Sequence, residues 1–96
     1  MSGGNAENRI VVIDDQEIMR DSLETALSDS GYSVDTFSSG EDAVARIGKN
    51  PPDLVITDIR MPGMDGMAVL KRVKEVDDNI PVIMITAHGT VENAVA

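Results

Sequence analysis

Three short runs of apolar, mostly β-branched residues recur along this chain with helical patterns between them: Ile10-Val11-Val12-Ile13, Leu54-Val55-Ile56 and Val82-Ile83-Met84-Ile85. A run with no polar interruption suits a strand covered on both faces. Tyr32 to Phe37 alternates instead, with Tyr32 and Val34 on one face and Ser33 and Asp35 on the other, as a half-exposed edge strand does. From Glu17 to Ser30 the apolar Met19, Leu23, Ala26 and Leu27 stand at helical spacing, and Gly31 is a natural stop. Ser39-Gly40-Glu41-Asp42 has the spacing of a helix cap, with Ala43, Val44 and Ile47 behind it, and Asn50-Pro51-Pro52 breaks that helix. A third helix carries Met67, Leu70, Val73 and Val76; Thr90 then caps a fourth that begins with Val91, Ala94 and Val95. The order βαβαβαβ(α) predicts an α/β fold: a doubly wound, open parallel sheet with helices on both faces.

Size and charge narrow the function. With 96 residues the chain is one domain, with no room for an appended catalytic module. Cysteine is absent, which excludes disulfides, thiolate metal sites and thiol nucleophiles. The formal net charge of −9 repels nucleic acid and anionic membranes, and an aromatic content of 2% offers no stacking platform for bases. No apolar run approaches the ~20 residues of a membrane span, and residues 1–8 form a polar tail without the apolar core of a secretory signal. A soluble, cytoplasmic location is expected.

In an open parallel sheet ligands sit beyond the carboxyl ends of the strands. The first strand ends in Asp14-Asp15, the third in Thr57-Asp58 and the fourth in Thr86. Taken singly, each acid is a solvated turn or a helix cap. Together, on strands whose ends share one edge, three carboxylates repel one another unless a cation lies among them. Oxygen donors with no histidine or cysteine beside them favour a hard divalent ion, Mg²⁺ best. The loop Met61-Pro62-Gly63-Met64-Asp65-Gly66 reads as a turn with methionines filling gaps, and Lys71, Arg72 and Lys74 as the solvated face of their helix.

Ile10–Asp15, Leu54–Gly66 (with Asp58-Ile59-Arg60-Met61-Pro62-Gly63-Met64-Asp65-Gly66) and Ile80–Gly89 resemble the receiver domain of bacterial two-component response regulators, the CheY-like superfamily. Thr86-Ala87-His88-Gly89-Thr90 is most similar to receivers of the NtrC type, which precede an ATPase module and a DNA-binding module. The resemblance implies a flavodoxin-like strand order 2-1-3-4-5. It implies that Asp58 accepts a phosphoryl group from a sensor histidine kinase, with Mg²⁺ held by Asp14, Asp15, Asp58 and the backbone carbonyl of Arg60. Thr86 would be the switch that meets the phosphoryl group, and His88 and Arg60 modulators of its lifetime. The domain would then be a regulatory module rather than an enzyme, assisting only its own phosphorylation and dephosphorylation. Its partners would be the kinase, an output module of transcriptional type and, as an assembly, a homodimer. Direct binding of nucleic acid is not expected.

Receivers have a fifth strand ending in lysine and a fifth helix. This sequence stops at Ala96, so the expectation over residues 9–96 is a receiver truncated before strand five. Strand four would then be an apolar edge, to be covered by pairing, by rearrangement of the last helix or by a longer chain. Two other readings compete with phosphoacceptance: a degenerate interaction module that keeps the fold without phosphorylation, and an Asp-based Mg²⁺ phosphohydrolase of the haloacid dehalogenase type. The latter needs an Asp-x-Asp spacing, whereas here the acids are adjacent and Gln16 follows. Neither a Gly-x-Gly-x-x-Gly nor a Gly-x-x-x-x-Gly-Lys-[Ser/Thr] run is present, which disfavours a nucleotide-binding domain.

Overall fold

Each apolar run forms a strand, and successive side chains of the run enter two different cores. The computed structural model describes residues 8–85 and, for the backbone, 91–93. Its elements are β1 (Arg9–Ile13), α1 (Glu17–Asp29), β2 (Ser33–Phe37), α2 (Gly40–Lys49), β3 (Leu54–Asp58), α3 (Gly66–Val76), β4 (Val82–Ile85) and β5 (Val91–Asn93). Val11, Ile13, Val55 and Val82 pack under α2 and α3 with Ala43, Val44, Ile47, Val69 and Val73. Ile10, Val12 and Ile56 face the other way, against Leu23 and Leu27 of α1. That period-two division is why the runs carry no polar interruption.

The sheet order is β2-β1-β3-β4-β5, with β1 to β4 mutually parallel. The four parallel strands in the order β2-β1-β3-β4 make a flavodoxin-like, doubly wound arrangement, with the half-exposed second strand at one edge as its alternation predicts. The chain leaves β1 toward β2 and then crosses back over β1 to β3, so the change of direction lies between β1 and β3. Among the described residues no helix is long and apolar enough to cross a membrane.

The cap expected at Ser39 forms, and Asp65, read from the sequence only as part of a turn, caps a second helix. The Ser39 hydroxyl accepts from the Asp42 N–H at 3.3 Å at the start of α2, and Asp65 accepts from the Ala68 N–H at 2.9 Å at the start of α3. α1 ends at Asp29, one residue before the predicted Ser30, and Gly31 follows at φ +99°, a left-handed conformation that suits glycine.

Three expectations are corrected. The inward face of α3 is Gly66, Val69 and Val73, with Leu70 half-buried, while Met67 and Val76 are 58% and 40% exposed. The cause is Gly66: a Cβ there would lie 2.5 Å from the Asp58 carbonyl oxygen, so the helix begins against the end of β3 and its rotation follows. Lys74 is not merely solvated. Its Nζ donates to the carbonyls of Asp78 at 3.2 Å and Ile80 at 2.6 Å, closing the turn beyond the helix C-terminus. Val91–Asn93 is a strand, not the beginning of a helix, and pairs antiparallel with β4 through Ile83–Asn93, Met84–Glu92 and Ile85–Val91. β4 presents backbone donors and acceptors on its outer side, and β5 takes them up. The remainder of the predicted fourth helix, Thr90, Ala94 and Val95, lies outside the described residues, as do residues 1–7 of the tail.

Candidate functional site

Ile13 pairs with Thr57 across the β1–β3 ladder, so the next residues, Asp14 and Asp58, emerge side by side at the carboxyl edge of the sheet. Asp15 joins them. One carboxylate oxygen from each of Asp14, Asp15 and Asp58 lies within 4.8 Å of the others. Asp14 is buried at 4% exposure, Asp58 half-buried and Asp15 exposed. Two unit negative charges at such a spacing repel by roughly 3 kcal/mol at an effective dielectric of about 20, and less where water reaches them, as at Asp15.

The local backbone holds Asp14 in place. Its Oδ1 accepts from the Gln16 N–H at 2.8 Å, its N–H donates to the Phe37 carbonyl at 3.1 Å, and its carbonyl accepts from Arg20 Nη1 at 2.7 Å. Burial nonetheless pushes the Asp14 carboxyl above its ordinary value, with Asp58 and Asp15 adding to the rise. The Gln16 N–H and the Arg20 charge oppose it. Asp58 is the last residue of the central strand β3, and its Oδ1 receives a long contact of 3.4 Å from the Arg60 N–H.

These acids line a cleft of about 540 Å³ with Gln16, Ile18, Met19, Arg60 and Ile85. All the ligand atoms are oxygens, and among the described residues none of the three carboxylates accepts a hydrogen bond from an ammonium or guanidinium. That set fits a hard divalent cation such as Mg²⁺, which is held by one or two carboxylates with waters and phosphate oxygens completing its shell.

The sequence reading thus has Asp14, Asp15, Asp58 and Arg60 together at one cleft. Thr86 and His88 lie outside the described residues. The reading missed the start of α1: the Gln16 N–H donates to the Asp14 carboxylate, Arg20 donates to the Asp14 carbonyl, and Ile18 and Met19 wall the cleft. The available signal was spacing, since Gln16 and Arg20 stand one helical turn apart directly after the acidic pair.

The family model described as the response regulator receiver domain matches residues 10–96. The DNA-binding transcriptional regulator NtrC of Salmonella typhimurium is 42% identical over 85 residues, covering 88% of this chain and 18% of that protein. The response regulator MprA of a Mycobacterium species is 39% identical over 88 residues, covering 92% of this chain and 38% of MprA. The chain thus spans well under half the length of these curated relatives. Among solved structures, the response regulator TrrA of Thermotoga maritima in complex with Mg²⁺ and BeF superposes with a TM-score of 0.79 at 36% identity, covering 83% of this chain and 70% of that one. A response regulator receiver domain protein from Clostridium thermocellum gives 0.78 at 34% identity, covering 84% and 66%.

Proposed function

This chain belongs to the response regulator receiver domain family of two-component systems, and from that premise we propose that it is a phosphoacceptor whose Asp58 takes a phosphoryl group in the presence of Mg²⁺. One observation carries the reading: three carboxylates within 4.8 Å at the switch of strand order, one of them on the central strand. Mg²⁺, when bound by Asp14, Asp15, Asp58 and the Arg60 carbonyl, supplies charge neutralisation for the phosphoryl oxygens. TrrA, 36% identical, is described with Mg²⁺ and BeF, which supports the same ion here.

The chain's own residues then do the following. An Asp58 carboxylate oxygen forms a bond to phosphorus as the P–N bond to the kinase histidine breaks. The electron pair returns to the imidazole nitrogen, which takes a proton from water. Such transfer needs position and charge compensation more than a strong base. Asp14, held by Gln16 and Arg20, stays beside Asp58 throughout. Ile18, Met19 and Ile85 line the apolar side of the cleft beside these acids. Thr86, next after β4, is proposed as the hydroxyl that meets the phosphoryl group and shifts a pre-existing equilibrium, with Arg60 and His88 tuning its lifetime.

Residues 9–96 are proposed as the part of a receiver that precedes its last strand and helix. The partners proposed are a sensor histidine kinase, an output module of the NtrC kind with ATPase and DNA-binding parts, and a second copy in a homodimer. The adjacent acids and the family match both speak against the phosphohydrolase alternative.

Incubation with acetyl phosphate and Mg²⁺, followed by borohydride trapping and peptide mapping, tests the assignment. Label on Asp58, lost in Asp58→Asn, is the expected result. Label on a serine, a threonine or His88 would overturn it, and an unlabelled chain that nonetheless binds Mg²⁺ would favour the interaction-module alternative.

A further inference from the structure

The loop that follows Asp58 is fastened at both ends, and one of the fasteners belongs to a helix with no part in the site described above. At the α3 end the Gly66 N–H donates to the Ile59 carbonyl at 2.9 Å, and the absence of a side chain lets Gly66 sit directly on the Asp58–Ile59 backbone. At the apex the Met64 N–H donates to Glu41 Oε2 at 3.1 Å. Glu41 stands in the first turn of α2, 23 residues away in sequence. Gly63, at φ +75°, makes room for the same carboxylate: a Cβ there would lie 2.7 Å from Glu41 Oε2. Gly40 brings the α2 backbone against the loop, since a Cβ there would lie 2.9 Å from the Met64 carbonyl oxygen. Among the described residues the Glu41–Met64 contact is the only side-chain hydrogen bond between α2 and this loop.

Arg60 lies between the two fasteners. Its N–H contact to Asp58 is long, at 3.4 Å, so its own bonding does little to fix where its carbonyl points. We propose that Glu41 is a positioning residue for the metal centre. By holding the Met64 N–H in the space Gly63 leaves, it fixes the loop that carries Arg60, whose carbonyl the proposed function gives to the ion. The inference rests on reading Asp14, Asp15 and Asp58 as a metal site. Without the clamp the loop must be ordered when the ion binds, and affinity falls by that ordering cost.

Mn²⁺ titration of the 96-residue chain, by electron paramagnetic resonance of the free ion, tests it with three variants. Glu41→Ala and Glu41→Gln remove the same charge, but only the glutamine keeps an oxygen able to accept from Met64. Glu41→Ala should bind Mn²⁺ about threefold to tenfold more weakly than Glu41→Gln, which should lie within about twofold of the parent. The comparison is made below the metal-free melting transition of every variant, so a change in folding does not enter the affinity. Equal affinities for the alanine and glutamine variants would overturn the positioning role. Asp15→Asn separates the two levels: weakened Mn²⁺ binding there upholds the site whatever Glu41 does. Unchanged binding in Asp15→Asn would overturn the metal reading and with it the inference.

Discussion

Asp14 is the residue on which the metal-free fold works against itself. It is buried among like charges, and its carboxyl lies above its ordinary 3.8, chiefly through burial. The sign of the pH dependence follows from that direction. A carboxyl raised in the folded state contributes fully below its unfolded value, and the contribution is lost as the pH rises through the folded value. At neutral pH, without metal, the fold therefore carries the cost of the ionised form. Asp14→Asn keeps an oxygen to accept from the Gln16 N–H and removes the charge. It should raise the metal-free melting temperature at neutral pH, by about 4–8 °C for each kcal/mol relieved in a domain of this size. The gain over the parent should shrink as the pH falls through the raised folded value and be gone below the unfolded value of about 4, and the stabilisation by added Mg²⁺ should be lost. Differential scanning calorimetry across pH, with and without Mg²⁺, measures both. A variant that melts below the parent at neutral pH would contradict the account of Asp14. Adjacent acids after an apolar run were legible as a site, but which of the two is buried was not, because burial depends on where α1 comes to rest.

At the scale of elements, α3 shows how a glycine sets the rotation of a helix. Gly66 has backbone atoms of Asp58 and Ile59 where a side chain would be, whereas Gly48, in α2, has open space. Gly66→Ala must push α3 or the end of β3 aside, a cost of about 1–3 kcal/mol for overpacking. Because the displaced atoms belong to Asp58 and Ile59, Mg²⁺ affinity should fall as well. Gly48→Ala meets nothing and replaces a poor helix former by the best one, so it should stabilise by up to about 1 kcal/mol. Urea denaturation of the two variants makes the comparison, and equal effects would show that the close approach at Gly66 does not matter. The helical period of α3 was legible in Met67, Leu70, Val73 and Val76, but its phase was not. The apolar pattern admits more than one inward face, and the contact at Gly66 selects the one containing Val69 and Val73.

For the molecule as a whole, the two faces of the sheet are unequal. α2 and α3 bury Ala43, Val44, Ile47, Val69 and Val73, whereas α1 has no buried residue and its Ile18 is 82% exposed. The carbonyls of Pro81 and Ile85 accept from Val55 and Ile59 of the β3 strand and its end, so the intervening Met84 turns its backbone groups toward β5, opposite Glu92. Glu92→Pro removes a donor from that short strand and should lower the hydrogen-exchange protection of the Met84 amide by tenfold or more. Ile83 and Ile85, facing β3, should keep theirs; unchanged protection at Met84 would mean that β5 does not hold the edge. The sequence alone determined the parallel α/β order, the edge position of β2 and the meeting of Asp14, Asp15 and Asp58. Period-two runs buried on both faces admit few arrangements, and parallel strands bring their carboxyl ends to one side. The tertiary structure alone decided that Arg20 supports Asp14, that Lys74 closes the turn after α3, that Glu41 meets Met64, and that Val91–Asn93 pairs as a strand where the local pattern reads as helix. A local pattern reports which faces of a segment are apolar. It does not report which unpaired backbone groups lie across from that segment, and in a folded chain those groups must find partners.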